Sequence, residues 1–288
     1  MAASASRLVR RLAAVQLVAV WLATVQFVVV RLAAARLVAV LLLAFLQAGP
    51  APAAEPVDLE LVLAADVSRS ITEEEFVLQR RGYAAAFMDP RVLQAIQAGR
   101  HRAIAVTFVE WSSSDEQLVV VDWTVLRDGE TAGTFADRLL AAPRSFQSRT
   151  SISAAIDFAL RRFAASGTES ARRLIDISGD GTNNSGRDVT LARDEAVAAG
   201  VTINGLAIIN DNPEGPYALM HVRPPEGLPE YYRRNVVGGP SSFVLQVTGF
   251  DTFADAIVEK LLQEIAGMPD LRDTAPSQSA RMADPGRR

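Results

Sequence analysis

The sequence predicts an α/β fold in which helices cover both faces of a mostly parallel sheet. Short runs of β-branched and apolar residues alternate along the chain with longer segments of helical periodicity, and this β-α-β order is typical of parallel sheets. The first run, 57–65, begins with alternating polarity and becomes continuously apolar, as expected of a central strand. Because such sheets bind ligands at the carboxyl ends of their strands, the turns that follow the strands are the expected place for a site.

Strand and helix alternate through the first half of this region. The segment 71–88 has helical spacing, with its aromatic residues on one side. The run 103–109 is rich in residues that favour strands. A second such run, 118–125, is predicted as its hairpin partner or as an edge strand, and 134–142 is predicted as a short helix.

The second half continues the alternation. The segment 150–165 has an apolar helical face, and the helix predicted over 189–199 ends at Gly200, a residue typical of helix C-termini. The remaining predicted strands are 173–178, 201–209 and 243–247, and the last predicted helix is 253–265. The segment 210–242 is rich in Pro, Gly and Tyr without clear periodicity, which predicts a long loop of the kind that often has a function.

The composition changes near residue 54. Residues 1–54 contain five Arg and no acidic residue, whereas the remainder contains 24 basic and 33 acidic residues, a formal charge of −9. The apolar run 37–46 follows two arginines and precedes the Ala-Pro-Ala of 51–53, which together fit a secretory signal cleaved near Ala53 or Ala54. We therefore expect an exported protein, periplasmic or extracellular.

A retained membrane anchor is the second interpretation of the same leader. Residues 12–30 form a further uncharged run of 19 residues, long enough to span a bilayer, which would attach the protein to the inner membrane through this segment. Both interpretations divide the chain into a leader at 1–54, a domain at 55–266 and a tail at 267–288. The Pro-, Ser- and Arg-rich composition of the tail predicts disorder.

The residue types that the chain lacks exclude several classes of site. It has no Cys, which excludes disulfides, thiolate nucleophiles and Cys-ligated metals. It has two His, His101 and His221, too few for a three-His zinc site. The sequence contains no phosphate loop, dinucleotide-binding glycine motif or nucleophile elbow, so we predict no enzyme class. The acidic domain argues against nucleic acid as a partner.

Oxygen-bearing side chains follow the first predicted strand. Asp66, Ser68 and Ser70 occupy alternate residues of the turn, where one carboxylate and two hydroxyls can converge above the strand end. Such oxygens suit a magnesium ion. The alternative is structural, since Ser70 can begin the next helix as the first residue of a capping box over 70–73.

Two more oxygen-bearing loops occur at later strand–helix crossings. Thr150 immediately precedes a predicted helix, and Asp180 follows the strand predicted at 173–178. Taken alone, Thr150 would be a helix cap, and Asp180 with Gly181 would be an ordinary turn. Because the carboxyl ends of parallel strands lie at one edge of a sheet, the three loops together predict one site built from oxygen ligands.

With these residues in this order, the sequence resembles the von Willebrand factor type A (vWA) domain over about residues 56–266. The residues that carry the resemblance are an apolar strand ending in Asp66-x-Ser68-x-Ser70, Thr150 before a helix, and Asp180-Gly181 after a strand. The resemblance implies a doubly wound sheet with one antiparallel edge strand and a metal-ion-dependent adhesion site (MIDAS). In such a site Ser68, Ser70 and Thr150 would bind the metal directly, while Asp66 and Asp180 would hold it mainly through water.

The resemblance also implies a cation and a partner. The metal would be a divalent cation, Mg²⁺ with Mn²⁺ and Ca²⁺ as alternatives, and it would keep one position open for an Asp or Glu carboxylate of a partner protein. The segment 177–184, Ile-Ser-Gly-Asp-Gly-Thr-Asn-Asn, is similar to a motif in a bacterial branch of exported proteins of unknown function. The expected function is therefore a protein-binding module; a metal-dependent hydrolase and a structural domain with an empty site are the alternatives.

Five further residues are predicted to contact the partner. Arg149 stands where many vWA domains carry glycine, so its side chain would crowd the metal or orient a ligand. Asn183 and Asn184 would contact the ligand or shape their loop. Tyr231 and Tyr232 lie in the long predicted loop beside two arginines, and Tyr and Arg are enriched in binding hot spots; anchoring of the loop is the alternative.

Overall fold

The structure is a computed structural model that describes residues 54–209, 224–249 and 252–267, together with positions 21, 26, 31 and 36. The chain divides into two units, Met1–Ala53 and Ala54–Arg288, and the second unit contains all the elements given below. The predicted signal or anchor, most of the predicted tail and part of the predicted long loop lie outside the described residues. None of the described helices is long and apolar enough to cross a membrane.

A six-stranded sheet forms the centre of the second unit. Its strands are β2 (Glu60–Asp66), β3 (Ile104–Trp111), β4 (Gln117–Leu126), β6 (Arg173–Gly179), β7 (Val201–Ile209) and β8 (Val244–Thr248). Two short strands, β1 (Glu55–Pro56) and β5 (Thr168–Glu169), form a separate parallel pair. In the order β4-β3-β2-β6-β7-β8, all neighbours run parallel except β3 and β4. The predicted fold class, with its antiparallel edge strand, is therefore confirmed.

Helices cover both faces of this sheet. They are α1 (Glu73–Met88), α2 (Pro90–Ala98), α3 (Gly129–Ala141), α4 (Ile152–Arg162), α5 (Val189–Ala198), α6 (Leu228–Tyr231) and α7 (Phe253–Ala266). Residues of α1, α2, α3 and α7 share one hydrophobic core, whereas α4, α5 and α6 contribute to a second core. A π-helical turn, Tyr232–Val236, continues directly from α6.

Strand β2 shows how the two cores are separated. Successive side chains of a strand point to opposite faces of its sheet. Leu61 and Leu63 belong to the core that contains Phe87 of α1, whereas Val62 and Ala64 belong to the opposite core. Because both faces of β2 are buried, its residues 61–65 are continuously apolar, which is the pattern that predicts a central strand.

Helix α2 is absent from the sequence prediction. A single residue, Asp89, separates it from α1 and caps its first turn, where the Asp89 carboxylate accepts a hydrogen bond from the backbone N–H of Arg91 at 2.8 Å. Pro90 occupies the first helical position, which suits a residue without an N–H. The Asp-Pro pair therefore both stops one helix and starts the next.

Local caps also explain the other differences in the helices. Helix α3 begins five residues before the predicted start, because the Asp128 carboxylate accepts a hydrogen bond from the N–H of Thr131 at 2.9 Å. Helix α4 begins at Ile152 rather than Thr150, with Ser151 as its N-cap. Helix α6 and the π-helical turn occupy part of the loop predicted over 210–242.

A buried charge cluster lies between α7 and the sheet. Lys260, the only lysine in the sequence, is 0 % exposed and contacts Asp176 Oδ1 of β6 at 2.7 Å and Glu264 one turn along α7. Asn204 of β7 donates a hydrogen bond from Nδ2 to Glu264 Oε1 at 3.1 Å. Burial, opposed by the neighbouring Lys260, raises the pKa of Glu264 to about 7. One ammonium group is thus shared by two carboxyl groups inside the core.

Candidate metal centre

The structure brings the five predicted metal-site residues together at one edge of the sheet. The ends of β2 and β6 are adjacent, so the turns that carry Asp66 and Asp180 lie side by side. Thr150 Oγ1 donates a hydrogen bond to Ser68 Oγ at 3.4 Å, Ser68 Oγ and Ser70 Oγ lie 3.0 Å apart, and Ser70 Oγ donates to Asp180 Oδ1 at 2.8 Å. Asp66 Oδ1 accepts from the backbone N–H of Ser68 at 2.7 Å. Three hydroxyls therefore form a chain that ends on Asp180, and the backbone N–H of Ser68 joins Asp66 to the same cluster.

The cluster is buried, and its charge is incompletely satisfied. Asp66, Ser68, Thr150 and Asp180 are all buried, and Ser70 is partly buried. Among the described residues, Asp66 Oδ2 has no hydrogen-bond partner. Burial, together with the charge of Asp180, raises the pKa of Asp66 to about 8. Two buried carboxylates that oppose each other's ionisation form an environment that a cation would stabilise.

The donor set fits a hard divalent cation. All five side chains offer oxygen atoms, which Mg²⁺, Mn²⁺ and Ca²⁺ accept as ligands. Within the described part of the chain, no group of three or more His, Asp or Glu side chains is placed to hold a metal. A cation bound at this cluster would therefore depend on hydroxyls as well as on its two carboxylates.

The helix caps leave these hydroxyls to the cluster. The capping box at the start of α1 is formed by Thr72 and Glu75: the N–H of Glu75 donates to Thr72 Oγ1 at 3.3 Å, and the N–H of Thr72 donates to Glu75 Oε2 at 2.8 Å. The alternative in which Ser70 caps the helix is therefore wrong. At α4, the cap is Ser151 rather than Thr150. Both predicted site residues stand just outside their helices.

The guanidinium group of Arg144 holds the Asp66–Ser70 loop in place. Its Nη2 donates hydrogen bonds to the carbonyl oxygens of Val67, Ser68 and Ile71 at 2.9, 3.0 and 2.8 Å. The carbonyl oxygen of Ser68 also accepts from the N–H of Ile71 at 3.0 Å. One guanidinium thus joins three carbonyls of the turn and fixes its course. No sequence pattern indicates this role of Arg144, because the residue lies more than 70 residues from the loop and belongs to no motif.

The loop that carries Thr150 is held by the end of β3. Ser112 Oγ donates to the carbonyl oxygen of Arg149 at 2.9 Å and accepts from the N–H of Ser148 at 2.9 Å. The N–H of Arg69 donates to the carbonyl oxygen of Ser148 at 2.9 Å, which joins this loop to the first one. The backbone around Arg149 is therefore fixed while its side chain is exposed.

Asn183 and Asn184 shape the loop that carries Asp180. Asn184 Oδ1 accepts from the N–H of Thr150 at 3.0 Å, and its own N–H donates to the carbonyl oxygen of Thr150 at 2.9 Å. Asn183 Oδ1 accepts from the N–H of Ser153 at 3.0 Å. Both amide side chains thus tie the Asp180 loop to the start of α4, which agrees with the loop-shaping interpretation.

The two predicted tyrosine contacts differ in exposure. Tyr232 is 0 % exposed, so its predicted direct contact with a partner is wrong: its ring packs in the core with α4 and α5. Tyr231 is partly buried, and its hydroxyl accepts a hydrogen bond from the N–H of Asn183 at 3.1 Å. The predicted anchoring role therefore describes these residues better.

His101 lies away from the cluster. Its backbone N–H donates to the carboxylate of Asp58, which precedes β2 and so lies at the opposite end of that strand from Asp66. His101 is therefore not placed as a general base beside the predicted metal ligands. His221 lies outside the described residues.

We expect Arg144→Leu to lower the free energy of unfolding by roughly 1–3 kcal/mol, because the carbonyls that it satisfies lose their donor. Divalent-cation affinity should fall as well, since the loop is no longer fixed. Urea unfolding and isothermal titration measure the two effects. The control is Arg161→Leu: Arg161 is exposed, and its guanidinium lies over the ring of Phe158. Equal losses in both variants would contradict the assigned role of Arg144.

Comparison with known proteins identifies both a family and a fold. A family described as protein of unknown function (DUF1194) matches residues 56–269. A search among curated proteins finds no match. The fold is similar to that of proximal thread matrix protein 1 from the mussel byssus, in a structure with a zinc-occupied MIDAS motif: the identity is 14%, the TM-score is 0.53, and the match covers 74% of this chain and 49% of that one.

Two bacterial structures are also similar. The pilus adhesin SpaC from Lactobacillus rhamnosus GG, in its open conformation, matches at 14% identity and a TM-score of 0.50, covering 73% of this chain and 30% of that one. A von Willebrand factor type A protein from Catenulispora acidiphila matches at 13% identity and a TM-score of 0.49, covering 73% and 43%. This chain spans about half the length of the mussel protein and less of the other two.

The family match covers most of the chain, and the strand order agrees with the doubly wound sheet that the vWA resemblance implies. At these low identities the structural matches show the fold alone. The chain therefore belongs to the family described as protein of unknown function DUF1194, and its fold is that of a vWA domain.

Proposed function

We propose that this protein is an exported binding module that holds a divalent cation at its MIDAS-like cluster and recognises a partner protein through an Asp or Glu carboxylate. One observation carries the proposal. Asp66 and Asp180 are both buried at one cluster with three hydroxyls, and Asp66 Oδ2 has no partner among the described residues. A buried carboxylate oxygen without a donor is costly unless a cation compensates it.

The roles of the five residues follow from the resemblance to vWA domains. We assign Ser68, Ser70 and Thr150 to direct contact with the cation, and Asp66 and Asp180 to contact mainly through water. A cation held by few anionic ligands remains strongly electrophilic and gains a charge-assisted bond from an incoming carboxylate. The exclusive use of oxygen donors favours Mg²⁺, with Mn²⁺ and Ca²⁺ as alternatives.

Two features around the cluster support an acidic protein partner. The side chain of Arg149 is exposed next to Thr150, on a backbone that Ser112 holds in place. A guanidinium on this loop would attract a carboxylate that approaches the cation. The similar folds of the mussel matrix protein and of SpaC support a role in protein interaction. The proposal assigns no catalytic step to this centre.

Export is part of the same proposal. The basic, apolar leader at 1–54 and its Ala-Pro-Ala end support a cleaved secretory signal, and retention as an inner-membrane anchor is the alternative. In either case the domain would work outside the cytoplasm, where neither nucleic acid nor a reducing environment is encountered. A chain without Cys is indifferent to the redox state of that compartment.

Affinity capture tests the proposed function. The tagged domain is incubated with an envelope extract of the source cell in MgCl₂, in EDTA, and in EDTA followed by excess MgCl₂. We expect one protein to be retained with Mg²⁺, released by EDTA and recovered when Mg²⁺ is restored. The Asp66→Ala variant, folded by circular dichroism, should retain none of it, because the cation site is incomplete.

Two results would overturn the proposal. Retention of the same partner in EDTA, or by Asp66→Ala, would show that the interaction does not use the cation. Turnover of phosphoester substrates by the purified domain with Mg²⁺ or Mn²⁺, abolished in Asp66→Ala, would instead identify a metal-dependent hydrolase.

A further inference from the structure

A fully buried tyrosine reaches the candidate metal centre from outside the three loops that form it. Tyr232 begins the π-helical turn that follows α6, between β7 and β8. The N–H of Val237 donates to the carbonyl oxygen of Tyr232 at 3.0 Å, which closes the turn, and Gly238 pairs with Ile203 of β7, which anchors it to the sheet. Isolated π-helical turns are frequent at functional sites.

Two glycines make the space that the Tyr232 side chain occupies. A Cβ atom at Gly205 of β7 would lie 2.7 Å from Cδ1 of the Tyr232 ring, and a Cβ atom at Gly179 of β6 would lie 2.8 Å from its hydroxyl oxygen. Any side chain at either position would clash with the tyrosine. The ring therefore lies across two neighbouring strands in a slot formed by their backbones, with the hydroxyl at the end of β6.

The slot ends at Asp66. The same Cβ position at Gly179 would lie 3.0 Å from Asp66 Oδ2, so this carboxylate oxygen and the Tyr232 hydroxyl both lie within 3.0 Å of one point. Both atoms are buried, and in the described structure neither has a hydrogen-bond partner. One is an O–H donor and the other is an acceptor, so they are chemically complementary.

A buried tyrosine whose hydroxyl has no hydrogen-bond partner is unusual. Buried hydroxyls almost always have a partner, and an orphaned hydroxyl costs about 1–3 kcal/mol. Phenylalanine would fill the same slot without that cost. The hydroxyl is therefore best explained by a function at the point where it ends.

We propose that Tyr232 is a positioning residue of the cation centre, whose hydroxyl donates a hydrogen bond to Asp66 Oδ2, directly or through one bound water. This inference rests on the proposed function of the cluster. The bond would fix the rotation of the Asp66 carboxylate and leave Asp66 Oδ1 to the N–H of Ser68. Outer-sphere partners of this kind orient metal ligands in many proteins.

Two conservative variants test the inference. Tyr232→Phe removes the hydroxyl and keeps the ring. The matched control is Tyr83→Phe: Tyr83 is also 0 % exposed, and its hydroxyl donates to Ser178 Oγ at 3.0 Å in the opposite core. Isothermal titration with MgCl₂ and with MnCl₂ measures affinity, and thermal melting in EDTA measures the stability of the cation-free protein.

We expect Tyr232→Phe to bind both cations about tenfold more weakly, as is typical for loss of an outer-sphere partner. Tyr83→Phe should bind them as the wild type does. In EDTA both variants should lose melting temperature, because each removes a hydroxyl that donates a buried hydrogen bond. Only Tyr232→Phe should also lose cation affinity, and a purely structural role for Tyr232 would not produce this difference between the two variants.

A second variant covers the case in which Tyr232→Phe does not fold. Gly179→Ala places a methyl group within 3.0 Å of both the Tyr232 hydroxyl and Asp66 Oδ2 and should also weaken cation binding. Its control is Gly133→Ala, where the nearest atom lies 3.8 Å away and no clash arises.

Unchanged affinity in Tyr232→Phe, with clear binding by the wild type, would overturn the role of Tyr232 and leave the proposed metal centre intact. Absence of cation binding by the wild type would overturn both. The two failures are therefore distinguishable in a single set of titrations.

Discussion

Replacing Asp66 with asparagine is expected to weaken divalent-cation binding by more than about a hundredfold, since outer-sphere partners alone are often worth 10- to 100-fold in metal affinity. The cation-free protein should be at least as stable as the wild type. Burial and the neighbouring Asp180 oppose the ionisation of Asp66, and an amide of the same shape carries no charge. Affinity and stability should therefore change in opposite directions, measured by titration with MgCl₂ and by urea unfolding in EDTA.

Asp58→Asn is the matched control for this experiment. The Asp58 carboxylate also accepts a backbone hydrogen bond, from His101 at 2.9 Å, but it lies at the other end of β2. Its replacement should reduce stability by roughly 1–3 kcal/mol and leave cation affinity unchanged. Unchanged affinity in Asp66→Asn would remove Asp66 from the metal centre, and a loss of stability in EDTA would make it a structural residue.

Lys260→Met is expected to cost about 3–5 kcal/mol of unfolding free energy, the usual result of removing one partner from a buried ion cluster. The substitution preserves most of the side-chain volume, so the loss comes from charge rather than packing. It leaves Asp176 and Glu264 buried together without their counter-charge. Urea unfolding at pH 7 measures the loss.

The deficit of Lys260→Met should depend on pH. In the wild type, the pKa of Glu264 is raised from 4.5 to about 7, so the folded state keeps a proton that the unfolded state releases between these values. The contribution of this group to stability therefore falls as pH rises through that window. Without Lys260 the Glu264 pKa rises further, so the variant should lose more stability at pH 8 than at pH 5.

The matched control neutralises the whole cluster. Lys260→Met combined with Asp176→Asn and Glu264→Gln leaves no buried charge at these positions and should recover much of the lost stability. A deficit that is independent of pH, or that persists in the triple variant, would show that Lys260 contributes through packing alone.

The fold could be predicted because its signals are local. The continuous apolarity of β2 follows from burial on both faces, and each strand and helix is marked by its own periodicity. Asp66, Ser68, Ser70 and Asp180 could be found because they follow strands β2 and β6, at the edge where a parallel sheet gathers its loops. Thr150 instead lies between helices α3 and α4, so the predicted strand–helix crossing there is wrong, although its hydroxyl does reach Ser68.

The supporting residues could not be predicted, because their roles arise only in three dimensions. Arg144 contacts a loop more than 70 residues earlier, and no local pattern marks it. The sequence predicts Tyr232 at a partner surface, because Tyr beside Arg in a Pro- and Gly-rich segment is typical of a binding loop. Its burial depends on Gly179 and Gly205 of two strands. Because these residues have no side chain, they leave the space that the ring occupies, and the sequence alone does not show that they lie beside it.

Lys260, the only lysine in the sequence, determines how the folded chain reacts with acylating reagents. Acylating reagents need an amino group that is both uncharged and reachable, and Lys260 is neither. It is 0 % exposed, and burial, which alone would lower its pKa, is outweighed by the charges of Asp176 and Glu264, which raise it. The α-amino group is the only other primary amine of the polypeptide. In the native state an acylating reagent should therefore modify only the α-amino group of the N-terminus. Acylation of Lys260 would show that the chain had unfolded.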